Sequence, residues 1–313
     1  MTTATTDGVA LEFRIGGDLK VHRIGFGAMR ILGPGVWGPP HDRGECLATL
    51  RRLVDLDVNL IDTAESYGPH ISESLIAEAL YPYPPHLVIA TKGGFNRSGP
   101  DQWQIDCRPE RLREELEGSL RRLRVDRIDL YQLHRIDPAV PEHDQFGFLQ
   151  QAQREGKIRH VGLSEAGIEQ IERAQQFFTV ASVQNQYNLA DRGWDAVVDF
   201  CDRHGIAFMP WAPLQGARPS RTLVGHYARV ARNLLKKESA LARIARDHGA
   251  TSVQIALAWL LCRARVMIPI PGTSTRTHLE ENAAASRITL SDEEFSSLSA
   301  AFNSPAAASF PRS

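Results

Sequence analysis

Several features are scarce in this 313-residue chain, and each scarcity removes a class of protein. Charge of one sign is not in excess, since 36 basic side chains face 37 acidic ones for a formal net charge of -1. A nucleic acid or an anionic membrane would find no field to follow. Cysteine is sparse and scattered, at Cys46, Cys107, Cys201 and Cys262, with no C-x-x-C pair. That pattern fits plain thiols in a reducing compartment better than a disulfide framework or a zinc site. Long apolar runs are missing too. The most apolar stretch, "VQIALAWLLCRARVMIPIPG", is interrupted by Arg263 and Arg265, and a bilayer needs about 20 consecutive apolar residues. The opening "MTTATTDGVA" has no basic segment leading into an apolar one, so no secretory leader is expected. No glycine- or proline-rich linker and no low-complexity tract divides the chain. These absences predict a soluble, cytoplasmic protein with no nucleic-acid, membrane or metal partner; they leave its oligomeric state open.

What is present is a repeating pattern. A short β-branched apolar run is followed by a polar loop and then by a segment of helical period. The runs are "VHRIGFG" from Val21, "VNLID" from Val58, "LVIATK" from Leu87, "IDLYQLH" from Ile128, "IRHVGLS" from Ile158, "ASVQNQ" from Ala181, "IAFMPWA" from Ile206 and "VMIPIPG" from Val266. Between them lie helical candidates such as "RPERLREELEGSLRRL", where Leu112, Leu116, Leu120 and Leu123 recur at three- and four-residue spacing and Pro109 suits a first turn. Strands alternating with helices predict a single (β/α)8 barrel domain over residues 1–313, with a doubly wound sheet as the alternative. "LEFRIGGDLK", from Leu11 to Lys20, reads as a hairpin closing the barrel bottom. Residues 1–10 and 304–313 are expected to be loose ends.

In a parallel barrel the C-terminal strand ends converge on one face, which carries the chemistry. The second strand ends "NLIDTAESYG", giving Asp62 with Tyr67 in its loop; the third ends "ATKGG", giving Lys92; the fourth ends "LYQLHR", giving His134. Each alone has a structural reading, as a cap, a packed ring, a snorkelling amine or a buried imidazole. Together they make a proton-transfer site. A lysine ammonium beside a phenol favours the phenolate and is expected to lower its pKa. A carboxylate keeps that lysine charged where water is scarce, and an imidazole orients or relays a proton. Such a site gives a proton to, or takes one from, an oxygen bonded to carbon.

These three segments, in this order, resemble the aldo-keto reductase family, and the resemblance runs from about Val21 to Asn282. It implies a (β/α)8 barrel that reduces a small aldehyde or ketone with NADPH, NADH being a possible substitute. Tyr67 would be the general acid, Lys92 and Asp62 its tuning pair, and His134 the orienting group. A hydride source is required, because no side chain supplies one. The dinucleotide fingerprint is absent: "GFGAMR" has Arg30 where a third glycine belongs. Gly27 and Met29 there are candidate cofactor contacts or simply a tight strand end. "IPIPGTSTRTHLEEN" offers hydroxyls and free amides at a helix start, an anion cradle or an ordinary cap.

By resemblance, Gly272, Thr273, Ser274, Arg276, His278, Glu281 and Asn282 hold the adenosine 2′-phosphate and adenine, with His278 standing where many members have arginine. Ser164 and Gln184 would bond the nicotinamide carboxamide, beside Glu165 where many members carry asparagine. Asp62 would also be a cofactor contact. Trp211 would stack on the nicotinamide or merely pack the barrel, and Pro213, Leu214 and Gly216 follow near the pyrophosphate. The loop from Gly216 to Tyr227, with Arg218 and Arg221, would be a lid. Trp37 and Trp103 would either wall the substrate pocket or pin their own loops. "GAMRILGPGVWGPPHDR" with "PWAPL" resembles a bacterial subgroup that includes pyridoxal reductases, which makes pyridoxal or another small aromatic aldehyde the candidate substrate. Two readings of other classes are a cofactor-binding regulatory protein with little turnover and a Schiff-base lyase using Lys92 as nucleophile.

Overall fold

The described residues open with an antiparallel hairpin. In this computed structural model, which describes residues 11–214 and 240–302, β1 (Glu12–Ile15) pairs with β2 (Leu19–His22). Gly16 and Gly17 turn the chain at φ of 61° and 88°, a region cheap only for a residue without Cβ. Ile15, Leu19 and Val21 share the buried face, packed with Leu60, Val88, Leu130, Ala207 and Ile268 from the barrel strands. The hairpin therefore stoppers the lower end of the barrel. The expected loose ends and the expected lid from Gly216 to Tyr227 lie outside the described residues.

One boundary differs from the sequence reading. The run from Val21 is not one strand: its first residues belong to the hairpin, and the first barrel strand is β3 (Phe26–Gly27). The buried Arg23 sits at the break. Its guanidinium donates to the carbonyls of Leu261 at 2.7 Å and Ala264 at 2.5 Å, at the C-terminal end of the helix Ser252–Arg263, and to that of Met267 just beyond at 3.1 Å. A cation there satisfies carbonyls that the helix leaves unpaired.

The remaining strands are β4 (Leu60–Asp62), β5 (Val88–Gly93), β8 (Ile128–Leu133), β9 (Ile158–Ser164), β10 (Val180–Gln184) and β11 (Ala207–Phe208), with β6 (Phe95–Gly99) and β7 (Gln102–Ile105) forming a separate hairpin after β5. The parallel sheet runs β3-β4-β5-β8-β9-β10-β11. Residues 266–271 join its two edges. Gly25 and Gly27 donate to Pro269 and Pro271 at 3.0 and 3.3 Å, and Phe208 donates to Val266 and accepts from Ile268, each at 2.8 Å. The sheet thus closes into a (β/α)8 barrel, with 266–271 as its eighth stave.

Helices pack outside through apolar stripes. Leu112, Leu116, Leu120 and Leu123 of the helix Pro109–Leu123 are all buried, as their spacing predicts. Each contributes on the order of 1.5–3 kcal/mol of transfer free energy. Inside, alternate residues of each strand point to the axis. Leu60, Val88, Ala90, Leu130, Met209 and Ile270 fill the lower layers with hydrocarbon, and polar residues take over near the strands' C-terminal ends.

Candidate active site

The inward parity that places Leu60, Ala90 and Leu130 in the core carries on to Asp62, Lys92, Gln132 and His134 one or two steps later. The register makes them neighbours, since Asp62 lies across from Ala90 and Lys92 across from Gln132. Asp62 becomes the hub. Its Oδ2 accepts from Lys92 Nζ at 2.7 Å, and its Oδ1 accepts from Gln132 and Gln184 at 3.1 and 2.8 Å. Lys92 Nζ also donates to the Thr63 carbonyl at 2.8 Å. The pair is almost fully buried, with side-chain exposure of 0% for Lys92 and 3% for Asp62. Room for Gln132 comes from Gly162 on β9. A methyl there would lie 2.2 Å from Ser182 Oγ and 3.0 Å from Gln132 Cγ.

Tyr67 leaves β4 on a turn in which its amide donates to Ala64 O at 3.1 Å, and it returns over the pair. Lys92 Nζ lies 5.1 Å from its ring centroid. His134 is at 5.9 Å, edge-on, and the His134 amide donates to Gly93 O at 2.9 Å, extending β8 beside β5. Asp62, Tyr67, Lys92 and His134 therefore meet at one rim, as the strand ends predicted. Phe95 and Trp103, both from the β6–β7 hairpin, complete an aromatic box with ring centroids 4.6 and 6.4 Å from His134.

The electrostatics differ from expectation at one residue. Burial drives the Tyr67 phenol above its ordinary range; Lys92 opposes that rise, Asp62 adds to it, and the net is upward. The expected lowering by lysine is real but smaller than the cost of burying a phenolate. Burial likewise works against the Lys92 ammonium, yet Asp62 and Tyr67 outweigh it and hold the amine charged. A charged amine has no lone pair for attack on a carbonyl, which argues against the Schiff-base reading. His134 is pressed well below its usual value by burial, then by Lys92, Arg135 and Arg97, so the imidazole is neutral. Its Nδ1 is buried with no partner among the described residues.

The expected cofactor contacts fall in two groups. The first lies along the same rim. Ser164 ends β9 and its Oγ accepts from Arg135 at 3.0 Å; Gln184 ends β10 and is engaged with Asp62. Trp211 points inward in line with Ala207 and Met209, and its indole donates to Glu165 Oε1 at 2.6 Å. Glu165 also accepts from the Gln186 amide at 2.6 Å, so its carboxylate ties Trp211 to its bridge partner Gln186. Pro213 is buried and Leu214 half-buried just beyond, whereas Gly216 lies outside the described residues. Gly27 ends β3 against the eighth stave and Met29 is half-buried after it.

The second group surrounds the start of the helix Arg276–Ala284, across the barrel mouth. Gly272, Thr273 and Ser274 lead into it, Thr273 Oγ1 accepts from the Thr275 amide at 3.2 Å, and Ser274 and His278 are exposed. Asn282 is buried, and Glu281 accepts from Thr251 Oγ1. Arg276 is not free: its amide, Nε and Nη2 all reach Glu45, at 3.0 to 3.3 Å. Between them the two groups present hydrogen-bond donors, an aromatic wall and a helix N-terminus, a set that fits a dinucleotide carrying a carboxamide at one end and phosphates at the other. Trp37 sits in the loop after β3, beside the turn of Tyr67, and Trp103 faces the box directly. Sequence reasoning missed Gln132, Phe95, Arg97, Arg135 and Glu45. Gln132 alone had a signal, being one inward step before His134.

A family model described as "Aldo/keto reductase family" matches residues 23–302. An uncharacterized oxidoreductase of Schizosaccharomyces pombe is 49% identical over 282 residues, covering 90% of this chain and 87% of that protein. Pyridoxine 4-dehydrogenase of Escherichia coli is 38% identical over 288 residues, covering 90% of this chain and 95% of that one. Among solved structures, an aldo-keto reductase from Klebsiella pneumoniae in complex with NADPH superposes with a TM-score of 0.74 at 26% identity, covering 94% of this chain and 96% of that chain. No helix among the described residues is long and apolar enough to cross a membrane.

Proposed function

Because the chain belongs to the aldo/keto reductase family, we propose that it reduces a small aromatic aldehyde to its alcohol, reversibly, with pyridoxal the leading candidate. The protein is an oxidoreductase that uses NADP(H), and a carbonyl compound is its substrate. One observation carries the mechanistic reading: a buried phenol, Tyr67, stands over a buried Lys92–Asp62 ion pair with a neutral His134 at its edge. The pyridoxal proposal has separate support, from the resemblance of the loop after the first strand and from the 38% identical pyridoxine 4-dehydrogenase.

The bound cofactor supplies a hydride for the carbonyl carbon. Ser164 and Gln184 would hold its carboxamide, and Trp211 would pack on the ring. Gly272, Thr273, Ser274, Arg276, His278, Glu281 and Asn282 would hold its adenosine phosphates. Gln184 and Arg276 must first release Asp62 and Glu45, their present partners. The Glu45 carboxylate competes with a 2′-phosphate for Arg276, so NADH use is a second outcome of the titration below.

Tyr67 gives its proton to the carbonyl oxygen as charge develops there. A raised pKa keeps that proton in place at neutral pH until an oxyanion, a far stronger base, is forming. Lys92 then stabilises the phenolate left behind, and Asp62 with Gln132 keeps Lys92 charged and aimed. A neutral His134 hydrogen-bonds the substrate oxygen and fixes its approach. The test is a fluorescence titration with NADPH and NADH, followed by a panel of aldehydes. Protein that binds NADPH yet oxidises it with no aldehyde would favour the regulatory reading and sink this one. Another aldehyde with a far higher kcat/KM would replace pyridoxal and leave the class intact.

A further inference from the structure

One charged side chain at the mouth of the site touches none of Asp62, Tyr67 or Lys92 through a hydrogen bond and acts on His134 only through its charge. Arg97 lies on β6 with its guanidinium wholly engaged by backbone carbonyls. Nε donates to Gln102 O at 2.9 Å; Nη1 donates to Val36 O at 3.2 Å and Ser66 O at 3.0 Å; Nη2 donates to Gly35 O at 2.8 Å and Gly99 O at 3.3 Å. Those bonds use all the donors of the fork, so Arg97 is no anion receptor. Its Cζ lies 3.6 Å from the Trp103 ring centroid and 5.6 Å from that of Trp37.

Three separate pieces of chain are held at this point. The Gly35–Val36 corner follows β3, Ser66 immediately precedes Tyr67, and Gly99 and Gln102 flank the tip of the hairpin that bears Trp103. Val36 shows that the corner is held rather than relaxed. It is β-branched yet sits at φ 53°, with its carbonyl shared by Arg97 and by the Gly68 amide at 3.3 Å. Such a conformation costs on the order of 1–3 kcal/mol and persists only where surroundings impose it. Trp103 is 36% exposed and makes edge contacts with Tyr67, Phe95 and His134, at centroid distances of 6.4, 5.4 and 6.4 Å.

We propose that Arg97 is a positioning and specificity-determining residue: it fixes Trp103 as a rigid wall of the substrate pocket and so selects flat, unsaturated aldehydes over flexible aliphatic ones. This deepens the reductase reading and rests on it. A planar ring gains from stacking only if the facing indole is already immobile when it arrives. A short alkyl chain makes no such demand, and loses little when the wall loosens.

The experiment measures kcat and KM for NADPH-dependent reduction of benzaldehyde and of butanal by wild type, Arg97→Met, Arg97→Lys and Trp103→Leu, with the NADPH Kd of each. Arg97→Met is expected to lose about tenfold or more in kcat/KM for benzaldehyde, mainly through KM, while butanal changes far less. The NADPH Kd should stay at its wild-type value, Trp103→Leu should reproduce the loss, and Arg97→Lys should not rescue it, because an ammonium lacks the planar fork. An unchanged aldehyde ratio, an equal loss for both aldehydes, or full rescue by lysine would each overturn the proposal. If Arg97→Met does not fold, Arg97→Lys and Trp103→Leu decide the same ratio. Wild type that reduces neither aldehyde overturns the reductase reading and this inference with it; wild type that reduces both, with a ratio indifferent to the variants, sinks this inference alone.

Discussion

At the scale of single residues, the site sets a neutral donor over a permanent charge. Replacing Tyr67 with phenylalanine removes the proton and leaves the Lys92–Asp62 pair in place. The expected result is a fall in kcat of about 10²–10⁴-fold with little change in NADPH affinity, read by steady-state kinetics and fluorescence titration. A variant keeping near-normal kcat would end the assignment. Lys92→Met should also abolish turnover, and it should cost stability, about 3–5 kcal/mol by urea unfolding, because Asp62 would stay buried without its counter-charge.

His134 makes a pH-dependent contribution whose sign is fixed by its depressed pKa. The unfolded imidazole titrates near 6.5, whereas the native one is held well below that value by burial and three cations. Unfolded chain therefore takes up a proton that native protein refuses, so stability is full above about 6.5 and declines as pH falls below it. Urea midpoints measured on both sides of that value should show the decline in wild type and a weaker one in His134→Asn. Asp62, Tyr67, Lys92 and His134 were legible in the sequence because strand ends in a barrel are spatial neighbours by construction. Glu45 and Arg97 were not, since each meets partners far away along the chain, and no periodicity reports such meetings.

At the scale of elements, interior space is shared between adjacent strands. Gly162 on β9 leaves the volume that Gln132 of β8 and Ser182 of β10 occupy. Gly162→Ala should cost about 1–3 kcal/mol in urea unfolding, as overpacking does. It should also weaken catalysis by displacing Gln132 from Asp62, and Ser182→Gly in the same chain should restore part of the loss. The alternation of apolar runs and helical segments made most barrel strands visible beforehand. The run from Val21 misled because hairpin and barrel strand are separated by only three residues, Arg23 to Gly25, and of these only the buried Arg23 breaks the apolar pattern. The β6–β7 hairpin escaped notice for the opposite reason: "QWQI" is almost wholly exposed and "FNRSG" buries only Phe95 and Gly99 at its ends, so neither shows the alternation from which a strand is read.

At the scale of the whole molecule, a dinucleotide reaching from Ser164 and Gln184 to the helix Arg276–Ala284 would tie the fifth and sixth staves to the segment that follows the eighth. Binding should stabilise the fold as a unit. At NADPH one hundred times its Kd the gain is about 2.7 kcal/mol, visible as a rise in Tm that grows with ligand concentration. A Tm indifferent to NADPH would argue that the two groups of residues do not serve one ligand.

The stave 266–271 has a consequence for biosynthesis. During translation, β3 to β11 leave the ribosome before it does, so the nascent sheet waits with two raw rims, each a row of unpaired amides and carbonyls open to a neighbouring polypeptide. A ribosome stalled before Val266 would release an intermediate that holds most of its catalytic groups but cannot shut, and is prone to stick to its own kind.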